Sequence, residues 1–405
     1  MPSPPGPCLA PVKQADHDAS MSSLTQPSFT VDGNRLTLIT EGPKRLAALL
    51  DLIRSARRTL RVLYYIYVDD DAGTAVRQAL IDAARRGVQV QLIVDGMGSE
   101  PAASNDFFDP LRDAGVETCR FVPRWGRRYL LRNHQKLALA DEARVIIGGF
   151  NIEDDYFETA EQAGWRDLGL LVEGPAAARL VGYFDALADW TRRPRASMRS
   201  LARTLHRWSE PLGATRWLLG GPMQRLSPWA RVVKRDMQRS RTIDLIAAYF
   251  APSPAMLRRL DKAGRRGRVR LVLPSKLDHG AAIWAARFTY AGLLRKKVEI
   301  YEYQPTKLHT KLFVIDDVVH IGSANFDIRS MFLNLELMFR IADPAFAAYV
   351  RRYVDGEVAQ SERITPDLYK ARTGPWTRVK QFGAYFVMAV LDYNVTRRLN
   401  FGPRK

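Results

Sequence analysis

The chain contains an internal repeat, and this repeat limits the folds open to it. Each half has an apolar strand, a helix, a basic pair followed by glycine, and a second apolar strand. This order predicts one βαβ crossover in each half. The repeat is far too long for a solenoid, so it predicts a duplicated α/β domain. The matching segments are Arg58–Leu63 with Arg241–Ile246, Arg85–Gly87 with Arg265–Gly267, and Val88–Val94 with Arg268–Leu273.

The 405 residues suit two domains, each with its own core. Several proline and glycine residues lie between positions 194 and 230, where we expect the boundary. Residues 1–28, rich in proline, serine and glutamine, are expected to form a disordered tail. The predicted domains are then 29–205 and 206–405, and the second ends in an apolar and basic segment, 380–405.

The repeat continues into two similar polar motifs. Two of the six histidines occupy matching positions, each followed by Lys two residues later and by Asp five residues after the Lys. Alternate residues share one face of a strand, so each His and Lys should point the same way. The first motif is His134, Lys136, Asp141, Gly148, Gly149 and Asn151; the second is His309, Lys311, Asp316, Gly322, Ser323 and Asn325.

A hairpin would return each Asn beside its His and Lys. Apolar strands precede and follow each Asp, and the second strand leads into the glycine-rich corner. Imidazole, ammonium and amide groups would then meet at one place, as in a phosphate site. A lone histidine in a strand is more often structural, but its duplication favours a functional interpretation.

Both motifs resemble the signature of the phospholipase D superfamily. The resemblance extends from about Phe29 to the C-terminus and is strongest to bacterial cardiolipin synthases without membrane-spanning helices. Further resembling stretches are Trp165–Asp167, Tyr301–Pro305 and Ser330–Glu336. The resemblance implies two pseudo-symmetric phospholipase D-like α/β domains, each a mixed sheet flanked by helices, with the active site at their interface.

The resemblance also implies a mechanism through a phosphohistidine. We assign His134 as the nucleophile and His309 as the general acid and base, although the symmetry of the motifs leaves the reverse order open. Lys136 and Lys311 would be catalytic and, like Asn151 and Asn325, would contact the phosphate, with Ser323 assisting. No metal or other cofactor is implied.

Each histidine also needs a carboxylate that orients its imidazole. Asp167 and Glu336 are the candidates, with Glu161 as a rival in the first half. Asp141 and Asp316 are expected to be structural turn residues, as are the motif glycines Gly148, Gly149 and Gly322. Gly149 stands where the superfamily usually has serine, which removes one hydroxyl donor.

The net charge of +18 indicates a polyanionic partner, either anionic lipid or nucleic acid. Basic and tryptophan-rich stretches, together with apolar Phe382–Leu391 and the arginines after it, favour a membrane surface. A helix packed on the domain core would explain Phe382–Leu391 equally well. No apolar run is long enough to span a bilayer.

We therefore expect a phosphatidyltransferase, peripheral on the cytoplasmic face of the bacterial membrane, that makes cardiolipin from phosphatidylglycerol. Phosphatidylethanolamine is a possible second donor. A hydrolase of phospholipids and a nucleic-acid phosphodiesterase of the same superfamily are the alternatives. No obligatory protein partner is expected, because one chain carries both motifs.

Overall fold

The structure is a computed structural model. It describes residues 27–391 apart from 101, 103–105, 123–130, 194–195, 224–225 and 279. Nearly all of the predicted tail, and the basic residues after Leu391, lie outside the described residues.

The first half forms an eight-stranded mixed sheet in the order β1-β2-β8-β7-β6-β3-β4-β5. Strands β3, β4 and β5 are parallel, whereas β6, β7, β8 and β2 continue the sheet in antiparallel pairs. The parallel β3–β4 pair is the crossover predicted from the repeat. The strands are β1 Ser28–Val31, β2 Asn34–Ile39, β3 Thr59–Tyr64, β4 Gln89–Asp95, β5 Glu117–Phe121, β6 Leu137–Ala140, β7 Arg144–Gly148 and β8 Gly169–Glu173.

The second half repeats this topology in the order β18-β13-β12-β10-β14-β15-β17-β9. Seven of its strands match seven of the first sheet in order and direction, while β1 and β18 are additions at opposite edges. A short pair, β11 with β16, lies beside it. The strands are β9 Thr215–Gly220, β10 Thr242–Ala247, β11 Phe250–Ala251, β12 Arg268–Pro274, β13 Glu299–Tyr303, β14 Lys311–Ile315, β15 Val318–Gly322, β16 Phe326–Asp327, β17 Glu336–Ala342 and β18 Ser361–Ile364.

Helices cover the sheets. In the described part of the chain they are α1 Gly42–Ser55, α2 Asp71–Arg85, α3 Asp109–Asp113, α4 Pro175–Ala178, α5 Val181–Arg192, α6 Met198–Arg207, α7 Pro228–Arg239, α8 Pro254–Arg266, α9 Gly280–Leu294, α10 Ile328–Phe332, α11 Pro344–Ala359, α12 Pro366–Arg372 and α13 Pro375–Phe386, which continues as a π-helical turn, Val387–Leu391. Among these helices, none combines the length and the apolar character needed to cross a membrane.

One apolar core joins the two halves. It contains residues from both sheets together with α5, α6 and α11. Separate cores lie under α1 and α2 in the first half and under α7, α8 and α9 in the second. The mixed α/β fold and its internal pseudo-symmetry are therefore confirmed, and the halves share buried surface rather than a thin contact. The exact domain limits stay a prediction.

The two signature hairpins are β6–β7 and β14–β15, and an Asp opens each turn. Asp141 and Asp316 have φ of 50° and 47°, the left-handed region that Asp tolerates better than most residues. Asp141 accepts backbone N–H groups of Arg57, Arg58 and Thr59 at 2.7–3.0 Å. Asp316 likewise accepts from Arg241 and Thr242 at 3.0 and 2.9 Å, so each turn is fastened to the start of the neighbouring antiparallel strand, β3 or β10.

The first turn is one residue longer than the second, because three residues separate β6 from β7 and two separate β14 from β15. Gly148 and Asn151 therefore lie one residue farther from their Asp than Gly322 and Asn325 do. Despite this difference, both hairpins deliver their Asn to the same end of the sheets, where the histidines lie.

Candidate active site

Backbone hydrogen bonds between the halves set the position of both histidines. The His134 N–H donates to the Leu335 carbonyl at 2.9 Å, and the His309 N–H donates to the Arg166 carbonyl at 2.7 Å. The residues before each histidine form parallel bridges, Asn133 with Leu335 and Leu308 with Arg166. Each histidine is therefore held in register with the segment just before a carboxylate of the other half.

The carboxylates cross between the halves as a result. His134 Nδ1 lies 3.1 Å from Glu336 Oε2, and His309 Nδ1 lies 2.6 Å from Asp167 Oδ2. All four side chains are buried or nearly so. Because a carboxylate holds each Nδ1, the reactive nitrogen left on each ring is Nε2.

Glu161, the rival carboxylate, is exposed on a turn after the first hairpin. Its described hydrogen-bond partner is Thr159, and no contact with His134 or His309 is described. Spacing alone favoured Glu161, which follows His134 by the same number of residues as Glu336 follows His309, whereas the family resemblance favoured Asp167. The structure brings Asp167 to a histidine, and that histidine belongs to the second half.

Gly149 and Ser323 occupy equivalent positions but have different surroundings. A Cβ at position 149 would lie 2.5 Å from Asp167 Oδ1 and 2.8 Å from Lys311 Cδ, so a serine there would force these buried side chains to move. Ser323 has room, and its hydroxyl donates to Glu336 Oε2 at 2.5 Å. This differs from the expected role of Ser323 on the phosphate, because its hydroxyl is committed to the carboxylate behind His134.

The motif lysines lie behind the histidines. Lys136 Nζ donates to the His134 carbonyl at 2.8 Å, and Lys311 Nζ donates to the His309 carbonyl and lies 4.0 Å from Asp167 Oδ2. Both ammonium groups are buried, which lowers the pKa of Lys136 well below its usual value and that of Lys311 to about 8. In this arrangement they hold the histidine backbone from behind, and neither is among the residues that line the pocket between the halves.

The asparagines are placed by matching backbone contacts. Asn151 Oδ1 accepts from Ile66 N–H at 3.3 Å, and Asn325 Oδ1 accepts from Tyr249 N–H at 3.4 Å. Because each oxygen is taken by a backbone donor, the amide NH₂ is the group left for a ligand. Asn151 Nδ2 lies 2.9 Å from the Tyr156 hydroxyl.

The two His–carboxylate pairs differ electrostatically. Burial raises the pKa of Glu336 to about 8, although Lys136 and Ser323 oppose this. Burial also acts on Asp167, but Lys311, His309 and Arg45 bring the pKa of that carboxyl below its usual value. Burial lowers the pKa of both histidines, to about 3 for His309, and the nearby lysines add to this effect. Asp167 is thus held ionised at neutral pH, whereas Glu336 retains its proton more readily.

Both histidines and both asparagines line one pocket between the halves. Aromatic side chains form part of its wall: Tyr65 lies 5.0 Å from the His134 ring, and Trp165 lies 5.3 Å from the His309 ring, both between centroids. Charged side chains of both signs also line it, beside the nucleophilic nitrogens of the two imidazoles: Arg132, Lys307, Arg329, Glu153, Asp155, Asp278 and Asp327. Such a site can accept a phosphodiester and a covalent intermediate on histidine.

Sequence reasoning missed two residues of this site. Tyr156 is buried with its hydroxyl 3.5 Å from His309 Nε2, and the second half has no tyrosine at the position five residues after its Asn. Arg45, buried in α1, donates to the carbonyls of Asp167 and Tyr156 at 2.6 and 2.7 Å. Nothing in the local sequence distinguishes Arg45 from a surface arginine, whereas Tyr156 could have been noticed as the aromatic residue after the first Asn.

A family of cardiolipin synthase, phospholipase D-like domains matches the chain over residues 49–187 and 233–357. The major cardiolipin synthase of Bacillus subtilis is 30% identical over 87% of this chain and 74% of its own length. Cardiolipin synthase A of Pseudomonas entomophila is 31% identical, over 82% and 70% respectively.

Among solved structures, phosphatidylserine synthase of Haemophilus influenzae superposes with a TM-score of 0.69 at 14% identity, covering 92% of this chain and 97% of the other. Polyphosphate kinase of Porphyromonas gingivalis superposes with a TM-score of 0.57 at 14% identity, covering 86% and 53%. At such low identity these two structures bear on the fold alone, and they agree with the duplicated architecture.

Proposed function

Since this chain belongs to the cardiolipin synthase family of phospholipase D-type phosphatidyltransferases, we propose that it makes cardiolipin from two phosphatidylglycerol molecules through a phosphohistidine. The observation that supports this most is the crossed arrangement. Two imidazoles face one pocket, and each is oriented through Nδ1 by a carboxylate of the other half.

In the proposed first step, His134 Nε2 attacks the phosphorus of a bound phosphatidylglycerol. The bond from phosphorus to the glycerol headgroup oxygen breaks. His309, which the bound anionic phosphodiester and Asp167 favour in its protonated form, gives that oxygen a proton. Arg132, Arg329 and the amide groups of Asn151 and Asn325 surround the pocket in which the phosphate charge changes.

In the second step the roles reverse. His309, now neutral, takes the proton from a hydroxyl of the second phosphatidylglycerol, whose oxygen attacks the phosphorus and frees His134. The ionised Asp167 supports this assignment, because a carboxylate on Nδ1 favours the imidazolium that an acid and base must form. Glu336, with its raised pKa, suits the imidazole that forms a covalent bond instead.

We further propose that the enzyme acts as a peripheral protein on the cytoplasmic face of the membrane, where anionic phospholipid is both substrate and docking surface. The chain carries a net charge of +18, which attracts such a surface.

The test is mass spectrometry of the lipids after incubation of the purified protein with phosphatidylglycerol vesicles, beside the His309→Ala variant. We expect cardiolipin and free glycerol from the wild type and neither from the variant. If phosphatidic acid is the sole product, the protein is a phospholipid hydrolase and not a synthase. If no lipid product forms and added oligonucleotides are cleaved, it is a nucleic-acid phosphodiesterase.

A further inference from the structure

The last described helix, α13, carries an exposed apolar stripe. Trp376, Val379 and Phe386 are 81%, 59% and 39% exposed, and Phe382 and Val387 are also exposed. Positions 376, 379, 382 and 386 follow the three-to-four-residue spacing that places side chains on one face of a helix. Large apolar residues grouped in this way mark an interaction surface more often than scattered ones do.

The opposite face of α13 packs on the protein. Tyr385 donates its hydroxyl to the Pro252 carbonyl at 2.8 Å and contacts Phe288 of α9 with 5.0 Å between ring centroids. Gln381 is buried and lies 3.1 Å from the Tyr369 hydroxyl. The helix is therefore held firmly on its inner side while its outer side presents apolar groups to solvent.

This helix leads directly to the active site. Met388, two residues beyond Phe386, lines the same pocket as His134 and His309. Pro252 follows β11, just past the carboxyl end of β10, which is the end of the second sheet where the histidines lie. The apolar stripe and the pocket mouth therefore lie at the same end of the molecule.

The first half adds apolar groups at that end. Met97 follows the carboxyl end of β4 and Val122 follows that of β5, and both are exposed. Asp95 at the end of β4 accepts the Asn133 N–H at 2.7 Å, which ties this loop to the segment before His134. Exposed apolar side chains thus lie on both halves around the site.

The charge beside the stripe is positive. Residues 366–386 contain Lys370, Arg372, Arg378 and Lys380 against the single acid Asp367, a net charge of 4 − 1 = +3. Arg378 and Lys380 are exposed on α13 itself, on either side of the stripe. An apolar face bordered by cations matches an anionic bilayer, whose interior accepts the apolar groups and whose phosphates accept the cations.

We infer that the Trp376–Phe386 face of α13 docks on an anionic phospholipid bilayer and holds the mouth of the active-site pocket at the lipid surface. This inference rests on the proposed function for its biological meaning, since a lipid substrate must leave the bilayer to reach the histidines. The apolar side chains enter the boundary between headgroups and acyl chains, while Met388, which packs on the inner side near Tyr385, lines the pocket.

The experiment is vesicle flotation of the full chain with a triple variant, Trp376→Ser with Val379→Ser and Phe386→Ser. All three side chains are exposed, so the fold should remain intact, and circular dichroism checks this. Leu212→Ser is the matched control, because Leu212 is an exposed apolar residue (84%) away from the pocket. It precedes Thr215 at the start of β9, and Thr215 pairs with Ile341, at the opposite end of β17 from Glu336. Vesicles of equal phosphatidylglycerol and phosphatidylcholine are compared with pure phosphatidylcholine.

We expect the wild type, the control and His309→Ala to float with the anionic vesicles. The partition coefficient of the triple variant should fall at least ~10-fold, which corresponds to the loss of about one buried apolar side chain or more. On short-chain phosphatidylglycerol below its micelle concentration, the triple variant should keep the wild-type rate.

Unchanged flotation of the triple variant would overturn the inference. A dimer of the wild type that the triple variant loses, without vesicle binding by either, would also overturn it and assign the stripe to a second copy of the chain. Flotation of His309→Ala separates docking from catalysis. If the protein docks through the stripe but makes no cardiolipin, the docking inference stands and the proposed reaction is rejected.

Discussion

At the scale of single residues, each half-site contains a His, a Lys, an Asn and a carboxylate, but the surroundings of these groups differ. Asp167 is one methylene shorter than Glu336, and Gly149 leaves the space that the shorter carboxylate and Lys311 occupy. Ser323, at the position equivalent to Gly149, donates to the longer carboxylate instead. Gly149 is therefore a steric requirement of the Asp167–His309 pair rather than a missing phosphate donor.

Gly149→Ala should consequently damage the site more than Ser323→Ala. The added Cβ would lie 2.5 Å from Asp167 Oδ1, which must then move from His309. We expect kcat to fall at least ~100-fold, because the imidazole loses the carboxylate that orients it. Ser323→Ala removes the hydrogen bonds to Glu336 Oε2 and from the Leu337 N–H but leaves both histidine–carboxylate pairs in place, so it should cost about 10-fold. Steady-state kinetics at one pH compares them, and equal rates for Gly149→Ala and wild type would refute the steric argument.

Glu336 should make stability depend on pH. Burial raises its pKa to about 8 in the folded protein, so the folded state keeps a proton that the unfolded chain has released above its usual carboxyl pKa. Stability contributed in this way is present at acidic pH and is lost as the pH rises towards 8. Glu336→Gln cannot ionise, so its free energy of unfolding relative to wild type should rise with pH, by at most roughly 1.4 kcal/mol per unit.

Urea unfolding at pH 5, 6.5, 8 and 9 measures this difference. Asp167→Asn is the control, because the pKa of Asp167 is lowered in the folded state. The stabilisation from ionised Asp167 is present above the carboxyl pKa of the unfolded chain and is lost only as the pH falls below that value. The Asp167 carboxyl itself therefore adds no pH dependence from pH 5 to 8, although its loss lowers the pKa of Lys311 further. A rise with pH for Glu336→Gln that is no steeper than the rise for Asp167→Asn would contradict the raised pKa of Glu336.

At the scale of elements, the signature hairpins are fastened by their Asp residues. Asp316 has a left-handed φ and accepts two backbone N–H groups at the start of β10. Asp316→Ala should lower the free energy of unfolding by about 1–3 kcal/mol, because two backbone donors and the Thr242 hydroxyl lose their acceptor and alanine disfavours this φ. Asp316→Asn keeps an acceptor oxygen and tolerates the conformation, so it should lose less.

Denaturant unfolding and kcat should be measured on both variants. If the role is structural, kcat at low temperature stays within a few-fold of wild type in the folded fraction. A large loss of kcat without loss of stability would place Asp316 in the chemistry instead.

Much of this element-level arrangement could be predicted from the sequence. The repeated strand, helix, glycine and strand order indicated the parallel pairs β3–β4 and β10–β12, and the His-x-Lys runs indicated both hairpins. The crossing of the carboxylates could not be predicted, because spacing along the chain carries no information about which half a side chain reaches. That choice is made by the bridges Asn133–Leu335 and Arg166–Leu308, which form only when the halves meet.

At the scale of the whole molecule, buried residues form the interface between the two halves. The central apolar core draws on both sheets, and Arg166 of the first half pairs with the buried Glu357 of the second at 2.6 Å. Breaking one partner of such a pair is costly, because it leaves an uncompensated buried charge. The halves should therefore unfold as one unit.

The complete site within one chain leads to a mixing experiment. His134→Ala and His309→Ala should each be inactive, and a mixture of the two proteins should remain inactive because neither chain can lend its intact histidine to the other. Cardiolipin formation in the mixture is the measurement. Recovery to about a quarter of the wild-type rate, the fraction expected for random pairing of exchanged halves, would mean that the halves exchange between chains.

The crossed carboxylates also govern how the two halves can change over evolutionary time. A substitution at Asp167 is felt at the histidine of the second half, and one at Glu336 is felt at the histidine of the first. Neither half can lose its motif residues while the other stays active, since each half supplies the carboxylate that orients the histidine of the other. This mutual dependence gives each half a physical reason to keep its His, Lys, Asn and carboxylate.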